Sequence, residues 1–532
     1  MKMKKRLLSI VMVVALILTC FAGCGKGGSG KKELSVDMNE TGYPIVNEPV
    51  TLKVGVMASA AYQTDWEDLE WVKQLEAQSG IKLEFVTYND SQAVNLMFAS
   101  EDYPDISFNV GTSKQIYEAA QGGAVYALDE YMEEYAPNWD KYFKENPDSL
   151  KKVTFSDGHV YSFPIVREED YHYEIRDQWL INKTWLDELG LQVPTTMDEL
   201  YTVVKAFKAN AGNGSIPNDV IPYYSLGVLN NIGGALDVIN SYGVRVSSEN
   251  YYVTVDDKGK VEFNFANKDI IEPMNFINKL AKEELLPKEC FTDSTSDYNV
   301  KFMSDEKTLG VFHSYYDYST EENEYVAFGP LDSGNGKTPL LRSQANTLTQ
   351  NMFTIYKKCE YPEVAVRLAN MIAEPEWSLQ ASYGMLEEDS SFYKDEEGKY
   401  WHRYGLNGYD YQTRVPSNRV PYLISEEVYN LVNFEESSIR YQRKVVCDEV
   451  YEGKTIATEN LYPFINISEE NVDELSDLSL TIGTTLKETF TRWAMYGNIE
   501  KEWDAYIAEL KEEGIDRYLE ILQEELDAYH AR

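Results

Sequence analysis

Basic residues, cysteine, histidine and long apolar runs are all scarce in this chain of 532 residues, and each shortage closes off a class of function. Lys and Arg number 49 against 88 Asp and Glu, a formal charge of −39. So acidic a chain repels nucleic acid and anionic membrane surfaces, and no basic patch offsets the repulsion, so no nucleic-acid partner is expected. Cysteines number five, and Cys290, Cys359 and Cys447 lie too far apart for a disulfide framework or a CxxC metal site. Buried free thiols are the expectation for these three. His159, His172, His313, His402 and His530 are isolated, with no HExxH pair, and a GxSxG nucleophile elbow is absent. Gly334-Asn-Gly336-Lys337-Thr338 ends like a phosphate-binding loop, but Leu331 stands where its first glycine belongs, so it reads as a surface turn. The acidic runs Glu387-Glu388-Asp389 and Asp395-Glu396-Glu397 lack EF-hand spacing and read as solvated loops. No catalytic residue, metal or cofactor is expected.

The one extended apolar run is at the start. Lys4-Lys5-Arg6 precede an apolar stretch from Leu7 to Leu18, followed by Phe21-Ala22-Gly23-Cys24. A basic region, an apolar core of about a dozen residues and small residues before a cut describe an export signal, and the run falls short of the roughly 20 residues of a membrane span. Cleavage before Cys24 leaves a thiol for a diacylglyceryl anchor, so residues 1–23 are assigned as a lipoprotein signal peptide. Phe21 stands where Leu is usual. Removing those residues takes four basic groups and no acidic ones, leaving a formal charge of −43. Gly25 to Lys32 holds only Gly, Ser and Lys, and residues 24–48 read as a flexible tether. The expected location is the extracytoplasmic face of the cell membrane, held by lipid alone.

Beyond the tether the pattern is α/β, and about 500 residues with 43% hydrophobic content suit more than one domain. Thr51 to Val56 alternates like a strand, Thr64-Asp-Trp-Glu67 predicts a capping box opening a helix that stops at Gly80, and Ile81, Leu83 and Phe85 predict a second strand. Strand, helix and strand within some 35 residues imply a parallel pair. Lys152–Phe155 with His159–Phe163, and Tyr251–Val255 with Val261–Phe265, predict hairpins. Thr196 and Glu199 predict a capped helix with Leu200, Val203, Val204 and Phe207 on one face, and Ile515 to Tyr529 repeats that spacing.

Four segments carry a family resemblance. They are Phe98-Ala-Ser-Glu-Asp-Tyr-Pro-Asp-Ile-Ser-Phe108 with Gly122 to Asp129 after it; Asp157-Gly158-His-Val-Tyr161-Ser-Phe-Pro164; Ile181-Asn182-Lys183-Thr-Trp185-Leu186 through Gly190 to Pro194-Thr195-Thr196; and Trp493 to Gly497 with Trp503 to Tyr529. In order and spacing the chain resembles the substrate-binding lipoproteins of bacterial ABC importers, extracellular solute-binding family 1 and its LplA-like branch. The resemblance implies a type 2 periplasmic-binding-protein fold, with two α/β lobes and a ligand cleft between them. Lobe 1 is expected at 49–175 and 357–425, lobe 2 at 176–356 and 426–532 including the C-terminal helices. The first two crossings are expected near Tyr173 to Trp179 and near Asn351 to Tyr356.

Ligands of open α/β sheets sit beyond the carboxyl ends of strands, which nominates Ser59 and Tyr62 after the first strand, and Asn109, Thr112 and Ser113 after Phe108. In the second lobe Tyr315, Tyr316 and Asp317 follow a strand from Thr308 to Phe312, where the resemblance implies a sugar-stacking aromatic. Trp179 at the first crossing, and Trp377 with Tyr383 near the second, are further candidates. Aromatic platforms with polar neighbours suit sugars, and 13% aromatic content supplies them. The resulting expectation is a monomeric, lipid-anchored receptor that closes on an oligosaccharide and delivers it to an ABC permease without chemistry. The alternatives are a secreted polysaccharide-active enzyme or a peptide receptor on the same fold.

Overall fold

A computed structural model describes residues 36–39, 41–59, 64–168, 175–231, 233–304, 306–314, 324–344, 348–403 and 413–532. In chain order the strands that build its two large sheets are β1 (Val50–Met57), β2 (Ile81–Tyr88), β3 (Ile106–Phe108), β4 (Phe163–Arg167), β5 (Gln178–Asn182), β6 (Ile221–Tyr223), β7 (Leu309–Ser314), β8 (Tyr325–Phe328), β9 (Leu348–Ile355) and β10 (Leu423–Ile424). Lobe 1 holds a six-stranded sheet in the order β10-β4-β9-β3-β1-β2, and lobe 2 a four-stranded sheet in the order β8-β5-β7-β6.

The expected parallel pair is present, with β1 and β2 in register from Val50 opposite Ile81 to Met57 opposite Tyr88. Between them runs α1 (Glu70–Ser79), which ends where Gly80 turns left-handed at φ 77°. The Thr64–Glu67 capping box does not form. Trp66–Asp68 makes a 3-10 turn instead, and α1 starts after Leu69 without a side-chain cap. Trp66 is the reason: its ring is buried on Phe85 at 5.2 Å, and anchoring it tightens the backbone into that turn. Helix α2 spans Ser113–Gln121, and the Thr196 box does form, opening α3 (Met197–Ala209), where Leu200, Val203, Val204 and Phe207 are all buried. Each such side chain contributes roughly 1.5–3 kcal/mol of burial free energy. The hairpin around Asp256 survives only as Thr254–Val255 with Val261–Glu262. The one expected around Ser156 shrinks to a tight turn after a helix, Pro147–Val153.

The lobe boundaries differ from the expected ones at two of three crossings. β9 pairs antiparallel with β3 and β4, so it is a central strand of lobe 1 and the second crossing lies ahead of Leu348. Met352 to Ile355 is buried on both faces, which only the middle of a covered sheet provides. Val432–Phe434 pairs with Tyr400–His402 beside the lobe 1 core, so the third crossing follows Phe434, along α4 (Ile439–Tyr451). The crossings meet. Ile175 bridges to Ser343, Arg443 donates to the Ile175 carbonyl at 2.7 Å, and Leu341 bridges to Thr455. Lobe 2 is completed by α5 (Glu469–Tyr496), α6 (Ile499–Glu512) and α7 (Ile515–Ala531), whose inner faces join its hydrophobic core. Cys290, Cys359 and Cys447 are buried free thiols. No helix among the described residues is long and apolar enough to cross a membrane.

Candidate functional site

Lobe 1 presents the carboxyl end of β3 to the cleft. Asn109 follows that strand at φ 53°, and Gly111 turns at φ 92°, where a Cβ would meet the Phe98 ring at 2.7 Å. Only glycine fits there. The turn delivers Thr112 as the N-cap of α2 (Ser113–Gln121), in a reciprocal capping box with Gln115. Ser113 Oγ accepts from Asn351 Nδ2 at 2.8 Å, which ties the start of α2 to β9. Deeper on this wall Tyr117 and Phe155 stack with ring centroids 5.3 Å apart.

Lobe 2 answers with α5 and a distorted turn. Asn250, Tyr251 and Tyr252 have φ of 42°, 70° and 58°, three successive left-handed residues. Side chains other than glycine hold that region at a cost of about 1–3 kcal/mol each, somewhat less for Asn. The surroundings enforce it: Asn250 Nδ2 donates to the Tyr462 carbonyl at 2.8 Å, and Tyr518 OH donates to the Tyr251 carbonyl at 2.6 Å. The result is a partly buried pair of tyrosines beside the partly buried Phe464 and the exposed Leu480 of α5.

Between these walls lies a cavity of about 1050 Å³, lined by Thr112, Ser113, Tyr117 and Phe155 from lobe 1 and by Tyr251, Tyr252, Phe464 and α5 from lobe 2. A second cavity of about 420 Å³ adjoins it, walled by residues 226–231, Ser248, residues 290–291, Asp293 and Thr491, and sharing Tyr252 and Lys487 with the first. The lobes also touch around the cleft, where Lys114 of α2 pairs with Asp473 of α5 and Tyr529 OH donates to Asp148 at 2.7 Å.

Behind the second cavity lies a buried ionic cluster. Arg342 is 2% exposed, and its guanidinium reaches Asp237 at 3.1 Å, Asp177 at 2.9 Å, and the Asn231 carbonyl and side-chain oxygens at 3.0 and 3.1 Å. Arg176 adds a second cation to Asp177 at 3.0 Å. Burial works against the Asp177 charge, yet Arg176 and Arg342 hold its carboxyl below the usual range. His313 completes the group, with Nε2 at 2.7 Å from Tyr223 OH and burial pushing its imidazole down to about 4. Asp177 and Arg342 sit on the first and second crossings, so the cluster fastens the hinge to the wall of the second cavity.

Of the expected site residues, Thr112 and Ser113 line the interlobe cavity. Ser59 and Asn109 are exposed at the ends of their strands, outside its lining. Trp179 and Trp377 are corrections, because both are packing residues. Trp179 is fully buried against His313 and Phe328, and Trp377 is 5% exposed, edge-on to Trp71. Tyr383 is buried likewise against Phe392 and His402. Cys24, Tyr62, Tyr315, Tyr316 and Asp317 lie outside the described residues. Sequence reasoning missed Tyr251, Tyr252, Phe464 and α5. The first two were expected in a strand, and the only signal against it was Asn250, the residue type that tolerates left-handed backbone. No cluster of three or more His, Cys, Asp or Glu suited to a metal occurs among the described residues.

Comparison with known proteins agrees with this architecture. A family model described as bacterial extracellular solute-binding protein matches residues 60–378. FusA of Streptococcus pneumoniae serotype 4, a fructooligosaccharide ABC transporter substrate-binding protein, is 25% identical over 545 residues, covering 100% of this chain and 99% of that one. The solved structure of S. pneumoniae FusA in complex with kestose matches with a TM-score of 0.79 at 24% identity, over 90% of this chain and 99% of that one. Lipoprotein LipO of Bacillus subtilis (strain 168) is 28% identical over 244 residues, 43% of each chain.

Proposed function

This chain belongs to the bacterial extracellular solute-binding proteins, and from that premise we propose that it captures an oligosaccharide between its lobes and hands it to the permease of an ABC importer. One observation carries the sugar assignment: the end-to-end alignment with FusA, a fructooligosaccharide substrate-binding protein. The cleft chemistry supports it. Partly buried tyrosine and phenylalanine rings at the cavity wall offer faces for the CH side of a sugar, and Thr112, Ser113 and Asn466 offer hydroxyl and amide partners for its rim. A cleft between two bodies desolvates a ligand from both sides and releases it by hinging.

The role is capture, not turnover, and the protein works as a monomer. Residues 1–23 act as the export signal and Cys24 carries the lipid. The leader pattern and the similarity to lipoprotein LipO support that anchoring. Calorimetry against panels of neutral oligosaccharides, acidic oligosaccharides and peptides tests the assignment. The expected result is saturable binding of a neutral oligosaccharide with no new reducing ends on long incubation. Binding of peptides alone, or sustained cleavage of a glycan, would overturn it.

A further inference from the structure

The second cavity differs from the first in one respect that matters for how a ligand is taken up. Its whole lining comes from lobe 2, so its shape does not depend on how far the lobes have closed. At about 420 Å³ it falls within the range of roughly 300–1,000 Å³ typical of small-molecule sites. Resting on the oligosaccharide reading above, we propose that this cavity is a preformed end subsite, which holds one end of a neutral oligosaccharide of trisaccharide length or longer while the remaining sugars lie in the interlobe cavity.

Three observations support it. First, the two spaces adjoin at Tyr252 and Lys487, which line both. Tyr252 is partly exposed on left-handed backbone, and Gly483 makes room for its ring, since a Cβ there would lie 3.2 Å from it. A chain passing from one cavity to the other crosses that ring.

Second, the wall is polar and held from behind. Asn230, Asn231, Ser248, Asp293 and Thr491 bring amide, hydroxyl and carboxylate groups to it. Arg342 grips both oxygens of Asn231, Gly227 N donates to the Cys290 carbonyl at 2.6 Å, and Asp293 accepts from Tyr224 OH at 2.7 Å while pairing with Lys301. Groups fixed before a ligand arrives lose little freedom on binding it.

Third, the charges exclude an acidic sugar chain. Around the first cavity Lys114 and Lys487 face Glu118, Glu469 and Asp473, and around the second Lys487 faces Asp293. Neither space has a surplus of cations, so a polyuronate with one negative charge per unit would meet no compensating charge.

The test is calorimetry of the intact chain with neutral fructo-, malto-, manno- and xylo-oligosaccharides from disaccharide to hexasaccharide, and with oligogalacturonates of the same lengths. The expected result is one neutral series whose affinity rises at least tenfold from disaccharide to tetrasaccharide, with oligogalacturonates at least a hundredfold weaker. Thr491→Phe, which fills the second cavity from its rim, should remove that gain and change disaccharide affinity less than twofold. If Thr491→Phe fails to fold by circular dichroism, Tyr252→Asn serves instead, removing the shared ring while keeping a residue at ease in left-handed backbone, and should cost the long chains at least tenfold. Affinity independent of length, equal losses at every length in these variants, or tighter binding of oligogalacturonates would overturn the end subsite and leave the receptor intact. Failure of every carbohydrate to bind would instead overturn the receptor reading itself.

Discussion

Lobe 1 and lobe 2 each bring a helix to the cleft and differ in what stands beside it. Lobe 1 offers regular structure: a glycine turn, a capped helix and a stacked Tyr117–Phe155 pair that is itself largely covered. Lobe 2 sets irregular structure beside the long helix α5: three left-handed residues and a loop at 226–231, both fixed by hydrogen bonds from buried groups. The difference teaches how a fold divides its tasks. Lobe 1 presents a surface whose geometry follows from backbone rules, whereas lobe 2 fixes its 226–231 loop through an ionic cluster that is costly to bury. Strain persists where its surroundings over-determine it, and three successive strained residues stand at the cleft.

The comparison breaks most sharply at Arg342. Arg342→Met should leave Asp177 and Asp237 buried beside too little positive charge and destabilise the protein by about 3–5 kcal/mol in urea unfolding. A loss below about 1 kcal/mol would show that the cluster is not what holds lobe 2. Next comes pH. The His313 imidazole is held near 4 against an ordinary 6.5, so the unfolded chain takes up its proton first as pH falls. The stability it contributes is complete above 6.5 and drains away between 6.5 and 4, by up to about 3 kcal/mol. Denaturation curves across that window should slope less steeply in His313→Gln than in the parent, whatever the offset between them, and parallel slopes would remove His313 from the account.

In lobe 1 the effects should be smaller. Thr112→Ala deletes the cap of α2 and should cost about 1 kcal/mol, with hydrogen exchange accelerating in residues 113–116 and unchanged in lobe 2. Smallest of all, Asp473→Asn removes the exposed pairing of α5 with Lys114 across the cleft. Stability should change by less than about 1 kcal/mol, because exposed ion pairs contribute little. Small-angle scattering of the unliganded protein should shift toward a larger radius of gyration if that contact holds the lobes together, and an unchanged radius would confine the lobe contact to residues such as Tyr529 and Asp148.

Legibility followed the range of the interactions involved. The β1–α1–β2 unit, the Thr196 cap and the apolar face of α7 were readable because each depends on neighbours a few residues apart. Trp66 shows where that fails, since a local capping pattern lost to an aromatic contact nineteen residues away. The cleft was half readable. Thr112 and Ser113 follow from the rule that ligands gather beyond strand ends, whereas Trp179 and Trp377 were nominated by residue type and turned out to be core.

By itself the sequence determined the class of the molecule: an acidic α/β chain with no recognisable catalytic motif and the motif order of a solute-binding family. Periodicity, composition and motif spacing are properties of a linear string, so they survive without coordinates. Only the tertiary structure decided that β9 is a central strand of lobe 1, that Arg342 meets Asp177 across 165 positions, and that Tyr252 divides two cavities. Those are facts about which distant residues share a space, and an aromatic ring has the same spelling whether the fold buries it or turns it toward a ligand.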